Sequence, residues 1–165
     1  MKMTAPHPKQ ARTSPRFDSL EQEVFLNLWR TYDRLRALED ELFGQFDLTP
    51  QQYNVLRLLR SEYSNKIHTL ELAGRLVSRA PDITRMLDKL EERGLVERDR
   101  PKENRRVVRV AVTEAGIALL RAMREPIREC HKRQLGHLSQ KQLNSLIALL
   151  HSARLPHEAP SSTWL

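Results

Sequence analysis

Apolar positions recur along this chain with two different periods, and the change of period divides it. Across residues 18–46, Phe25, Leu28, Tyr32, Leu35, Leu42 and Phe46 keep to one side of a 3.6-residue repeat, which predicts a long amphipathic helix. Asp18 with Glu21, or Ser19 with Gln22, has the chemistry to cap its start by bonding orphan backbone N–H groups. A second helix is expected after Thr49: that residue suits the N-cap, Pro50 the first helical position, and Gln52 the reciprocal capping bond. Tyr53, Leu56, Leu59 and Tyr63 then form its core face. The segment TLELAGRL predicts a short third helix with Leu72, Ala73 and Leu76 inward and Gly74 small enough for another helix to pass close. A fourth helix starts near Pro81, buries Ile83, Leu87 and Leu90, and stops at Gly94.

Past Gly94 the period falls to two. LVERDR and VVRVAVT are strand-like, the second setting Val108, Val110 and Val112 against Val107, Arg109 and Ala111, with Pro101 and Asn104 supplying a turn between them. A hairpin with a charged tip is expected. Thr113 can cap a further helix carrying Ile117, Leu120, Met123, Ile127 and Leu138, kinked at Pro126, where the missing N–H costs about 3 kcal/mol in a straight helix. Ser139 and Gln142 open a last helix with Leu143, Leu146, Ile147 and Leu150 on one side.

The fold class is therefore mainly α with a small β-hairpin wing: a winged helix-turn-helix embedded in a helical dimerisation domain. Residues 1–17 are expected to be a disordered basic arm, 18–46 and 114–154 the helical dimerisation region, 47–113 the DNA-binding winged helix, and 155–165 a flexible tail. The order of elements suits DNA because a helix fits the major groove while a hairpin tip reaches the neighbouring minor groove or backbone.

Charge strengthens this picture locally more than globally. The 165 residues carry 28 Lys and Arg against 21 Asp and Glu, a formal +7 that suits a polyanionic partner. Between Arg98 and Arg109 the excess is sharper, with Arg98, Arg100, Lys102, Arg105, Arg106 and Arg109 against Asp99 and Glu103. One cysteine, Cys130, excludes an internal disulfide and suits a reducing compartment. No apolar run approaches the roughly 20 residues of a membrane span, and the basic N-terminal stretch has no apolar core of a secretion signal, so a cytoplasmic protein is expected.

LDKLEERGLVERDRP followed by NRRVVRVAVTEAG, with TLELAGRL before them, resembles the MarR family of bacterial transcriptional regulators, over roughly residues 20–150. In that family's wing pattern, Arg106, Val110, Val112, Thr113 and Gly116 fall in place. Asn104 departs from it, standing where an Asp is usual, so an amide meets Arg106 in place of a carboxylate. The resemblance implies a homodimer on double-stranded DNA, repression as the common mode, and a small phenolic or anionic effector in a cleft between the dimerisation helices and the DNA-binding lobe. The long apolar stripes of the terminal helices independently require a partner surface.

For the major groove the candidates are Ser78, Arg79, Ala80, Pro81, Asp82, Thr84 and Arg85. Arg85 is suited to a bidentate pair with guanine or to phosphate, unless Asp82 or Asp88 takes it. Asp82 better suits the positive end of the helix than a base. For the wing they are Lys102, Arg105 and Arg106; Asp88 and Arg93 are expected to hold the fold together. Trp29, Tyr32 and Tyr53 are the effector candidates, although core packing explains them more simply.

Other function classes find less support. No glycine-rich phosphate loop or nucleophile elbow suggests an enzyme. Cys130 and His131 are adjacent and His131 and His137 are six apart, neither being the spacing of ligands on one helix face, so no metal site and no cofactor are expected. A redox- or metal-responsive regulator of the same fold, and a winged helix used only for protein contacts, stand as the alternatives.

Overall fold

The computed structural model describes residues 17–63, 65–77, 82–100 and 107–158. The elements run α1 (Leu20–Gly44), α2 (Pro50–Ser61), β1 (Ile67–His68), α3 (Thr69–Gly74), α4 (Ile83–Glu92), β2 (Val96–Asp99), β3 (Arg109–Val112), α5 (Glu114–Ala122), α6 (Arg124–Leu135) and α7 (Gln140–Arg154), closing on a 3-10 turn at Leu155–His157. The tail, expected to be loose from 155, is thus still turned there, with Arg154 Nε 2.8 Å from Glu158 Oε1.

The chain divides into two units between Arg36 and Ala37. In the first, the described residues belong mostly to α1. Of the two possible caps the Ser19/Gln22 pair forms: Ser19 Oγ accepts from the Gln22 N–H at 3.1 Å, while Gln22 Oε1 accepts from the Asp18 N–H at 2.7 Å. Its apolar side chains stay open, with Leu20 76%, Phe25 62% and Trp29 63% exposed. Of the predicted stripe, Phe25, Leu28 and Tyr32 are exposed, Leu35 and Phe46 are half-buried, and Leu42 joins the core.

The second unit holds the core, in which Val55, Leu56, Leu72, Leu90, Val110 and Met123 are wholly buried. α2 begins as its sequence dictates: Thr49 Oγ1 accepts from the Gln52 N–H at 3.2 Å and Gln52 Oε1 accepts from the Thr49 N–H at 2.9 Å, with Pro50 leading the helix. Its inner face is Gln52, Val55, Leu56 and Leu59. Tyr63, expected on that face, lies past the last turn and is exposed, its hydroxyl donating to Glu114 instead.

The sheet has three strands in the order β1-β3-β2, all antiparallel. The hairpin of β2 and β3 matches expectation, with Val96 opposite Val112 and Asp99 opposite Arg109. β1 was not anticipated, because two residues are too few to show alternation; Ile67 pairs with Val110 and His68 with Arg109. Gly74 is exposed, with open space where a Cβ would stand, so the expected close helix approach does not occur there.

The helix after the wing is two helices. α5 ends at Ala122 and α6 starts at Arg124, with Met123 between them. Pro126 is the third residue of α6; its ring would collide with the carbonyl four residues back, that of Ala122, and the chain breaks there. The kink expected at the proline is therefore displaced one turn earlier. α6 stops at Leu135, so Leu138 lies beyond it, half-buried. α7 opens with the expected Ser139/Gln142 capping box, yet none of its residues is buried, and Ile147 and Leu149 are 66% and 68% exposed.

Candidate nucleic-acid interface

α4 is the second helix of the helix-turn-helix, and among the described residues its N-terminal turn leaves the Arg85 guanidinium without an ion pair. Asp82 is the N-cap, its Oδ1 accepting the backbone N–H of Arg85 at 2.9 Å, so this carboxylate serves the helix end as its sequence suggested. Asp88 is engaged elsewhere, 2.6 Å from Arg98 Nη1. Both carboxylates within reach of Arg85 along the helix are thus occupied, and among the described residues no ion pair engages its guanidinium. Arg85 is two positions from fully buried Leu87, a step of about 200°, so it faces away from the core. Thr84 is also exposed. Ser78, Arg79, Ala80 and Pro81 lie outside the described residues. The helix ends at Glu92, and Gly94, at φ 67°, lets the chain reverse so that the Leu95 N–H returns to the Leu90 carbonyl at 2.9 Å.

α3 is fastened at both ends, to the wing strand and to the end of α2. The backbone N–H and hydroxyl of Thr69 both donate to the Val108 carbonyl, at 3.1 and 3.2 Å, which ties its start to the wing strand. Arg75, just past its end, bridges Glu62 at 2.8 Å and Glu71 at 2.5 Å. These partners hold its guanidinium above its ordinary pKa, the Glu62 hydrogen bond contributing most.

In the wing the charges sort themselves into internal and outward groups. Lys66 stands 3.4 Å from Glu97 and 3.6 Å from Asp99, which offsets acidic charge on β2. Arg98, counted from sequence among the basic wing residues, is bound to Asp88 and Glu91 of α4. The Arg98 hydrogen bond holds the Glu91 carboxyl below its ordinary pKa, partly opposed by burial. Arg100 and Arg109 are exposed and have no ion pair among the described residues. Lys102, Arg105 and Arg106, and Asn104 with them, fall outside the described residues. Between α3, α4 and the wing runs a groove of about 390 Å³ into which Thr84, Arg98 and Arg100 face.

The three aromatic candidates do not form one group. Trp29 and Tyr32 line a shallow apolar recess along α1 with Phe25 and Leu28, and the Phe25 and Trp29 rings are 6.2 Å apart. Tyr53 belongs to the other unit, half-buried with its ring 5.2 Å from that of Phe43. Cys130 is buried, its thiol donating to the Leu38 carbonyl at 3.6 Å, and burial pushes its pKa up. Among the described residues, no group of three or more His, Cys, Asp or Glu side chains converges on a metal-sized site, and no helix is long and apolar enough to cross a membrane.

The residues that sequence reasoning undervalued are Glu91 and Arg98. Their charges are plain in the sequence and Asp88 and Glu91 are three apart on one helix, but only the return of β2 along α4 makes them partners.

A helix-turn-helix followed by an antiparallel hairpin defines the winged-helix class of DNA-binding proteins. The MarR family model matches residues 48–108, from the approach to α2 up to β3. The chain is 58% identical to a MarR transcription factor from Planctomyces limnophilus, whose crystal structure it resembles with a TM-score of 0.67 over 82% of this chain and 98% of that one. It also resembles a mutant E. coli MarR complexed with operator DNA, at 25% identity and a TM-score of 0.70, covering 82% of this chain and 98% of that one. The HTH-type transcriptional repressor IacR of Pseudomonas putida is 27% identical over 138 residues, 82% of this chain and 81% of the relative. The chain belongs to the MarR family, and is a DNA-binding transcriptional regulator.

Proposed function

We propose that two copies of the chain act in the cytoplasm as a ligand-responsive repressor on a pseudo-palindromic operator. The observation that carries the reading is Arg85: exposed, on the first turn of α4, with Asp82 and Asp88 both committed to other groups. A guanidinium held in that state is available for a bidentate pair with guanine O6 and N7 or for a phosphate. Ser78, Arg79, Ala80, Pro81, Asp82 and Thr84 accompany it at the major groove, and Lys102, Arg105 and Arg106 reach the adjacent minor groove and backbone.

The open apolar faces of α1 and α7 support the homodimer, since exposed side chains such as Phe25 and Trp29 on the one, and Ile147 and Leu149 on the other, are each an aggregation liability unless a second copy covers them. Repression is supported by IacR, named a transcriptional repressor. A bound dimer blocks polymerase, and a small phenolic or anionic effector held against Trp29 and Tyr32 favours a dimer whose reading heads miss half-sites set about one helical turn, or 10 bp, apart.

The test is footprinting on duplexes enriched by the chain from a random pool, with sedimentation of the protein alone. Two protected patches about one helical turn apart and a dimer mass are expected. A single protected half-site, or a monomer, overturns the reading.

A further inference from the structure

We propose that Arg98 is a positioning residue for DNA reading: by joining Asp88 and Glu91 of α4 to strand β2, it fixes the wing relative to the recognition helix, so that groove contact by one sets the approach of the other. This rests on the reading that α4 and the wing both touch DNA.

The geometry is that of a clamp. Arg98 Nη1 lies 2.6 Å from Asp88 Oδ1, while Nε and Nη2 donate to Glu91 Oε2 at 2.8 and 2.5 Å. The other oxygen of Glu91, Oε1, accepts the backbone N–H of Arg98 at 3.1 Å. β2 is an edge strand, bonded to β3 on one side only. An edge N–H normally goes to water or to another strand; here it is taken by the recognition helix. One carboxylate thereby grips both the backbone and the side chain of the wing strand.

Fixing the edge strand also fixes what it carries. Asp88 is one turn beyond Thr84 and Arg85, and Arg98 is two residues before Arg100 on the way to the wing tip. The clamp therefore spans the interval between the two DNA-facing groups. A planar guanidinium has donors to serve two carboxylates at once, which a lysine ammonium cannot reproduce in the same plane.

The sign of the charges argues for position over attraction. Asp88 and Glu91 place negative charge on the helix that approaches a polyanion, and Arg98 offsets only one of the two. For electrostatic affinity alone, a neutral residue at 88 would serve better. The two carboxylates make sense on this helix as the anchors of the wing.

The experiment compares wild type, Arg85→Ala, Asp88→Asn and Arg98→Lys on two probes, a duplex enriched by the wild-type chain from a random pool and poly(dI-dC), each titrated across a range of KCl. Circular dichroism establishes that each variant is folded. Asp88→Asn removes a negative charge, yet is expected to lose on the order of tenfold on the enriched duplex, the cost of one misaimed base contact. Its affinity for poly(dI-dC) and its salt slope are expected to stay near those of wild type, since no phosphate contact is removed. Arg98→Lys, which keeps the charge, is expected to behave the same way. Folded variants that bind the enriched duplex as well as or better than wild type overturn the proposal. So does an equal fold-loss on both probes in Arg98→Lys, which would put the Arg98 guanidinium on the DNA backbone and not on the helix. Arg85→Ala separates the two claims: no loss with that variant overturns the reading of α4 itself, whereas loss with Arg85→Ala and none with Asp88→Asn overturns the clamp alone.

Discussion

Arg93 donates from its guanidinium to the carbonyl of Phe46 at 3.1 Å, fastening the end of α4 to the loop between α1 and α2. A second bond from the same group goes to the carbonyl of Asp47, which sits at φ 50°, a left-handed conformation that a non-glycine residue adopts only at some cost. Arg93→Ala returns both carbonyls to water, so the expected destabilisation is about 1 kcal/mol. It should appear as a lower urea midpoint with an unchanged slope.

Arg85 and Arg106 should fail differently on DNA. Arg85→Ala is expected to cost about 1–3 kcal/mol on an enriched duplex and to relax preference at a single base pair. Arg106→Ala is expected to weaken every duplex similarly and to lower the salt slope by about 1. Binding titrated against KCl on several sequences distinguishes them; identical behaviour of the two variants would count against the division of labour.

Acid should loosen the wing from the helix. The Glu91 carboxyl is held below its ordinary 4.5 by the Arg98 hydrogen bond, so in the unfolded chain it binds its proton at higher pH than in the fold. The stabilisation is fully present above 4.5 and is lost as pH falls through the lower folded value. Because Glu91 is partly open to solvent, the effect is modest. Glu91→Gln should flatten the acid limb of a stability-against-pH curve while leaving its shape at neutral pH unchanged.

Cys130 should react slowly while the protein is folded. The thiolate is the reactive form, and burial, with Glu39 nearby, raises the thiol's pKa. Alkylation by iodoacetamide is expected to be much slower in buffer than in urea, and mild peroxide to leave DNA binding unchanged. Equal rates in the two solvents would contradict this.

A charge on the open face of α7 should separate the copies. Leu149→Lys needs little rearrangement within one chain, because Leu149 is already 68% exposed. The expected outcome is a folded monomer by sedimentation, with cooperative binding to paired half-sites lost. A variant that remains dimeric would move the interface elsewhere.

What could be read from the sequence was mostly what is settled within a turn or two of chain. Thr49 with Gln52, and Ser139 with Gln142, capped helices as expected because a capping box needs only its own backbone. Tyr63 was misplaced for the opposite reason: the repeat continues to it, but the helix ends at Ser61, and a periodic position outside a helix has no face. Pro126 announced a break without saying where, since its steric conflict is with a residue one turn back. At the site, the excess of arginines was legible, but which of them face outward was not. Arg98 and Arg100 differ by two positions, and only the neighbourhood of Asp88 and Glu91 decides that the first is held inside.

The wing stands on a crowded root. A Cβ on Gly116 would lie 2.3 Å from the Leu95 carbonyl oxygen and 2.7 Å from Val112 Cγ2. Thr113 occupies the same spot, its N–H donating to that Leu95 carbonyl at 3.1 Å and its hydroxyl to the Gly94 carbonyl at 2.6 Å. Every missense change in a glycine codon adds a side chain, so the codon for Gly116 has no tolerated neighbour by this geometry. Genetic drift meets a wall at the root of the wing, and a lineage that acquires a new operator must rewrite its reading residues while leaving this junction as it is.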